Sequence, residues 1–404
     1  MRVRGAVVAG IGLAWALARG PAPLVAQRGG MFLGSADDPA IAYSTASLNN
    51  VVASVNRKLQ DGAVHLTFQG RSGYLQSALD ALDISVDSQM LVFSPTSLQA
   101  RRINERNPRA LFFNDRVALG WVRDGDFIEV AAHDATEGVV FYTLSQQPTG
   151  RPEFRRSFRC LACHVAGDTL GVPGLLMFST TTSPDGAVKS VATDHRSPLA
   201  DRFGGWYVTG SVSGLFDADG YPSMSSDIAA LLVLSHQTHM TNLLTRAGWE
   251  ARAADPLRHP PFVAAPGEEQ RIGQMMNAVA AEVVDYLLFV DEAPLEGVPS
   301  SSGFIERFAA AGPRDAKGRS LHQLDLTRRL MKYPCSYMVY SDAFDALPPA
   351  AKDPIYRRMW EVLSGADGDA RYRSALSRAD RQAVVEILRD TKKDLPVYFG
   401  AVSR

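Results

Sequence analysis

Four hundred and four residues, 46% apolar and 21% charged, describe a folded chain and leave little room for extended disorder. Basic and acidic residues nearly cancel, 42 against 43, so no net field draws the chain to nucleic acid or to an anionic membrane. Three cysteines are too few for a disulfide framework, so Cys160, Cys163 and Cys335 are read singly.

The chain opens Met1-Arg2-Val3-Arg4 and runs apolar over residues 6–18. These thirteen residues, at about 1.5 Å rise each, fall short of the roughly 30 Å hydrocarbon core. A basic start, a short apolar run and small residues around Ala16-Leu17-Ala18 or Leu24-Val25-Ala26 fit a secretory signal peptide over residues 1–26. If left uncleaved, the same segment would act as a membrane anchor. No later apolar run approaches membrane length, so the mature chain is expected in the periplasm without an integral span. Residues 27–45, rich in Gly, Ser, Ala and Asp, suggest a linker.

A helix is predicted over 48–59, where Val51, Val55 and Leu59 recur every four residues. Period-two runs then predict strands at 111–113, 117–122, 127–132 and 139–144, forming a small antiparallel sheet covered on one face. Arg123-Asp124-Gly125-Asp126 is the expected hairpin turn between the second and third, with glycine supplying positive φ. Shorter strands or turns are expected at 175–179, 187–192 and 206–210. Ser226-Asp227 caps a long helix to about 249, and 268–290 carries the most regular apolar face in the chain. Asp353-Pro354 is expected to start a further helix with Tyr356, Met359 and Leu363 inward. Ser377 and Asp380 open the last, which ends before Pro396. Sheet first and helices later predict an α+β fold rather than βαβ alternation.

One motif carries chemistry. Cys160-Leu161-Ala162-Cys163-His164 is C-x-x-C-H, the attachment sequence of a c-type haem. Two thiols one helical turn apart can each form a thioether with a porphyrin vinyl group, and the adjacent imidazole falls to the iron. A zinc site would need two further ligands, and no second C-x-x-C or H-x₃₋₅-H pair exists. A thioredoxin-like pair would need a strand of a βαβ unit leading in, whereas the lead-in is Glu153-Phe154-Arg155-Arg156-Ser157-Phe158-Arg159. A structural disulfide at this separation would be strained.

The motif and the following Gly171-Val172-Pro173-Gly174-Leu175 resemble the c-type cytochromes over about residues 155–180. That resemblance implies one covalent haem c per chain, a mainly helical haem region, and Pro173 offering its carbonyl to the Nδ1 hydrogen of His164, which would fix the tautomer. More loosely, Phe112-Phe113-Asn114-Asp115, Asp194-His195-Arg196-Ser197-Pro198 with Gly204-Gly205-Trp206-Tyr207, and Tyr333-Pro334-Cys335-Ser336-Tyr337 resemble segments of large single-haem bacterial cytochrome c domain-containing proteins. The chain departs from the small cytochromes in the more than two hundred residues between the motif and the terminal helix, so their distal Met positions do not carry over. The expected organisation is an N-terminal domain of helix and sheet at 46–150, a haem-binding region at 151–345 and a C-terminal helical segment at 346–404.

The iron's sixth ligand decides between electron carrier and catalyst. His195, flanked by Asp194 and Arg196, is the leading candidate. Met224, His239 and Met240 follow, with His236 one turn before Met240, and an open position is the remaining alternative; Met177 is too near the motif to cross the ring. Arg155, Arg156 and Arg159 could pair with propionates or form a solvated face. Trp206 and Tyr207 could approach the haem edge or be ordinary core aromatics. Cys335 is expected to be a buried free thiol, and His133 and His322 show no partner pattern. The function expected from the sequence is electron transfer with a redox partner protein. The alternatives are a peroxidase- or oxidase-like haem enzyme, whose added residues build a substrate pocket, and a haem sensor or docking subunit.

Overall fold

Asn50 opens the first helix, its side-chain oxygen accepting the Ala53 N–H at 3.0 Å. In the computed structural model, residues 30–400 are described except 149, 183–187, 209–210, 212, 256–265 and 299–302. The expected signal peptide lies outside the described residues. Helix α1 (Val51–Gln60) buries Val52 and Val55, and α2 (Leu75–Ala81) buries Leu75, Ala78 and Leu79 in the same core.

Strands β1 (Met90–Val92), β2 (Arg109–Phe113), β3 (Val117–Trp121), β4 (Phe127–Asp134), β5 (Gly138–Ser145) and β6 (Arg155–Arg156) come next. After them follow a helical turn α3 (Leu161–His164), a hairpin of β7 (Phe178–Thr182) and β8 (Val188–Ala192), and β9 (Trp206–Tyr207). The main sheet is antiparallel throughout, in the order β6-β5-β4-β3-β2-β1-β9. It therefore takes strands from both sides of residue 150, and the chain from Met31 onward clusters as one unit instead of parting at 150 or 345. At the β3–β4 turn it is Asp124, not Gly125, that takes positive φ. Gly125 is needed for space, because a Cβ there would press on the Val122 carbonyl and the Gln99 side chain.

The expected linker packs instead of spanning. Phe32, Ile41 and Tyr43 are buried, Phe32 donates its N–H to the Leu170 carbonyl at 2.8 Å, and both aromatic rings lie against Trp249.

Strand alternation gives the sheet two unlike faces. Ala110, Phe112, Leu119, Ile128, Val130, Val140 and Tyr142 point into the core shared with α1 and α2. The opposite face is crossed at one end by α4 (Ile228–Ala254), whose Asp227 cap accepts the Ala230 N–H at 2.8 Å. Contacts from Asp227 to Gln89, Gln237 to Asn114, Thr241 to His133 and Arg252 to Glu137 carry this helix from the β1 edge to the β4–β5 hairpin. Buried almost all round, α4 is covered on its other side by α5 (Glu268–Leu287).

Helices α6 (Gly303–Ala311), α7 (Asp342–Asp345), α8 (Pro349–Ser364), α9 (Ala370–Ala375) and α10 (Arg378–Thr391) complete a second core. Helix α8 starts at Pro349, earlier than expected. Pro349 suits the first helical position, and Pro354 then lies inside the helix, where it forgoes one backbone bond. Tyr356, Met359 and Leu363 are buried as expected, and Ser377 and Asp380 form the capping box of α10. The fold is α+β. Among the described residues, no helix is long and apolar enough to cross a membrane.

Candidate functional site

The C-x-x-C-H segment is delivered by the sheet edge. Asn56 pins Phe154 through both backbone groups, its amide donating to the carbonyl at 2.7 Å and its oxygen accepting the N–H at 3.0 Å. Next, β6 pairs with β5, and Ser157 donates its N–H to the Phe141 carbonyl at 2.8 Å. The chain then coils into a single turn carrying Cys160, Cys163 and His164. The thiols are unbridged: Cys163 is exposed, while half-buried Cys160 sits 3.7 Å from the Ser157 hydroxyl. Burial pushes the Cys160 thiol up, so at neutral pH it is protonated.

The His164 imidazole rests on Phe141, ring centres 4.6 Å apart. Its Nδ1–H donates to the carbonyl of Gly174 at 2.8 Å, and Gly174 returns its own N–H to the His164 carbonyl at 3.0 Å. This corrects the expectation for Pro173, whose carbonyl accepts the Val139 N–H at 3.2 Å instead. Pro173 thereby ties the loop to β5 while Gly174 faces the imidazole. The carbonyl accepts only, which places the proton on Nδ1 and leaves Nε2 as the free lone pair. No described residue hydrogen-bonds Nε2. Burial pushes the imidazole pKa down, keeping the ring neutral at pH 7.

Helix α4 holds that arrangement through Asn242. Its side chain accepts the Leu175 N–H and donates to the Leu175 carbonyl, both at 2.9 Å. Gly174 must be glycine, because a Cβ there would collide with the Asn242 oxygen. Asn242→Ala is expected to strand both buried Leu175 groups and destabilise the protein by about 1–3 kcal/mol, measured by urea unfolding. Gly174, Phe141 and Asn242 were missed from the sequence: the first two lie in ordinary loop and strand patterns, and Asn242 joins the site only through tertiary contact.

The sixth-ligand candidates lie elsewhere. His195 is fully buried with its ring between Tyr286 and Phe289, and its Nδ1 lies 2.8 Å from His236 Nδ1. His236 Nε2 is 2.7 Å from the Ser336 hydroxyl. His239 meets Arg196 at 3.2 Å, and Arg196 pairs with Asp194 at 2.5 Å. Together with buried Met240, these groups occupy the layer between α4 and α5. His164 rests on the sheet at Phe141, and none of these groups is among its contacts. Met224 lies beside β1, where Gln89 donates to the Ser223 and Ser225 carbonyls. That is four strand steps, about 19 Å, from β5. Met177 is buried in the main core.

The remaining expected residues resolve as follows. Arg155 pairs with Glu153 at 2.7 Å, Arg156 donates to the Tyr43 and Ser44 carbonyls, and Arg159 is exposed. Trp206 donates its indole N–H to the Phe178 carbonyl, and Tyr207 pairs on β1, so both serve the sheet edge. Cys335 is buried and free. His322 is buried against Asp115 at 3.1 Å, and His133 lies on the sheet under α4 near Thr241. Among the described residues no cluster of His, Cys, Asp and Glu is arranged to hold a metal ion by itself. What the motif offers is two thiols for thioether bonds and one imidazole nitrogen with its tautomer set, a donor set that fits a covalently bound haem.

No protein-family model, no curated protein and no solved structure matches the chain.

Proposed function

We propose that the chain is an exported c-type cytochrome that carries one haem c on Cys160 and Cys163, takes His164 as the axial ligand, and exchanges single electrons with a redox partner protein in the periplasm. The observation that carries the reading is the Gly174 carbonyl on His164 Nδ1, which leaves Nε2 free at the end of the turn bearing two unbridged thiols. Bound there, the haem supplies a one-electron iron couple whose potential the protein tunes by ligation, burial and hydrogen bonding. The chain's own part is to hold the imidazole: Gly174 fixes its proton, Phe141 supports its plane, and Asn242 fixes the adjoining Leu175 backbone against α4.

The test is the visible spectrum of the mature protein made alongside c-type maturation machinery. Covalent haem that survives denaturing electrophoresis is the expected result, and added carbon monoxide or cyanide then reports whether the sixth position is filled. Colourless protein overturns the assignment, and prompt ligand binding overturns the carrier in favour of a haem enzyme. His195→Ala is expected to leave the visible bands unchanged, because His195 is engaged with His236 in the α4–α5 layer.

A further inference from the structure

The sheet face that supports His164 continues, half-open, beyond the end covered by α4. Glu129 and Ala131 on β4 are partly exposed there, next to Leu111 on β2 and Ala118 on β3, which are also partly exposed but pack against the helical core. Register places them together: Leu111 pairs with Gly120, Gly120 with Glu129, and Ala131 with Phe141. Ala131 and Cys160 both pack on the small apolar cluster of Val139, Phe141 and Leu175. Beside the motif the partly exposed floor is carried by the small side chain of Ala131.

One charge pair stands on this floor. Arg109 Nη2 meets Glu129 Oε2 at 2.7 Å, with the side chains only 18% and 13% exposed. The Ser97 hydroxyl lies 3.1 Å from each carboxylate oxygen. The guanidinium lies over Gly120, where a Cβ would collide with it. Its Nε–H is buried without an acceptor among the described residues. The same holds for Nε of Arg156, Arg246, Arg329 and Arg358, so what distinguishes Arg109 is its place on this face. Glu129 stands on the same face of β4 as Ala131, opposite Thr143 on β5 where Ala131 is opposite Phe141, the residue under His164.

We propose that this half-open face receives the porphyrin and that the Arg109–Glu129 pair, with its spare donor, sets the reduction potential of the bound iron. The inference rests on the cytochrome reading and adds two tuning residues and a seat to it. A positive charge near the iron favours the reduced state and a negative charge the oxidised one, so removing one partner leaves the other's field uncompensated.

The experiment is spectroelectrochemical titration of haem-loaded wild type, Arg109→Gln, Glu129→Gln and Arg109→Lys, with Lys317→Gln as an exposed control remote in sequence. Arg109→Gln is expected to lower the midpoint and Glu129→Gln to raise it. Each should change the one-electron equilibrium roughly tenfold, about 59 mV. Arg109→Lys, which keeps the charge, should stay close to wild type, as should the control. Ala131→Trp, which fills the floor, should lower covalent haem content several-fold while far-ultraviolet dichroism is retained. A haem-loaded wild type whose potential is unmoved by both Arg109→Gln and Glu129→Gln overturns this inference alone. A wild type without covalent haem overturns the cytochrome reading and this inference with it. If Arg109→Gln fails to fold, the sign of the Glu129→Gln shift decides.

Discussion

Replacing Cys160 and Cys163 together by alanine is expected to abolish covalent haem, leaving a colourless band after denaturing electrophoresis. The two thiols are one helical turn apart and unbridged, so each is free to form its own thioether. Cys335 cannot substitute: it is fully buried among core residues on the stretch that carries Ser336 and Tyr337. Each single variant retains one anchoring thiol and should keep part of the haem, with Cys163→Ala removing the exposed sulfur and Cys160→Ala the one packed beside Ala131. Fold loss is not the expected cause, since a thiol-to-methyl change at partly exposed positions alters stability by about 1 kcal/mol or less. Haem content measured on dichroism-matched samples separates the two. Covalent haem persisting in the double variant would refute the attachment.

Stability is expected to fall steeply as the pH drops below about 6. His195, His236 and His239 lie in the α4–α5 layer with little or no exposure. Burial pushes His236 down to about 3 and His239 to about 4, and holds His195 well below its ordinary value. In the unfolded chain each titrates near about 6.5. Between these values the unfolded state binds protons that the folded state refuses. Their contribution is therefore complete above about 6.5 and is lost as the pH falls towards the folded values. Each histidine accounts for up to about 1.4 kcal/mol per pH unit in that window. Against a usual total of about 5–15 kcal/mol, even two such groups decide the outcome.

Asp194 adds to this at lower pH. Burial works to raise it, but the hydrogen bond and charge of Arg196 outweigh burial and hold the carboxyl well below the usual range. Its share persists until the pH falls through the carboxylate range. Urea midpoints at pH 7.5, 6 and 5 measure the effect. His236→Gln, which keeps a polar side chain but cannot take up a proton, should flatten the slope by about 1.4 kcal/mol per pH unit. Equal midpoints across that range would show that these histidines are not held neutral.

Local patterns marked most elements correctly. The period-two runs at 111–144 became β2 to β5, and the caps Asp227 and Ser377 open α4 and α10. The short strands β1 and β6 were not legible, because two or three residues carry no period, and β9, expected as a strand or turn at 206–210, pairs with β1 across more than a hundred positions. The segments around Asn114, His195, His236 and Ser336 were each noticeable alone. Their meeting on α4 depends on that helix being buried on every side, which no amphipathic pattern announces.

By itself the sequence determined the donor set, since two thiols and an imidazole at this spacing are a local property of one helical turn. It also determined the α+β class, because strand and helix periods are local too. Only the tertiary structure decided which carbonyl meets His164, which layer holds His195, and that Arg109 and Glu129 stand beside the motif. Those outcomes depend on strand register and helix packing, where a shift of one residue turns a side chain to the other face.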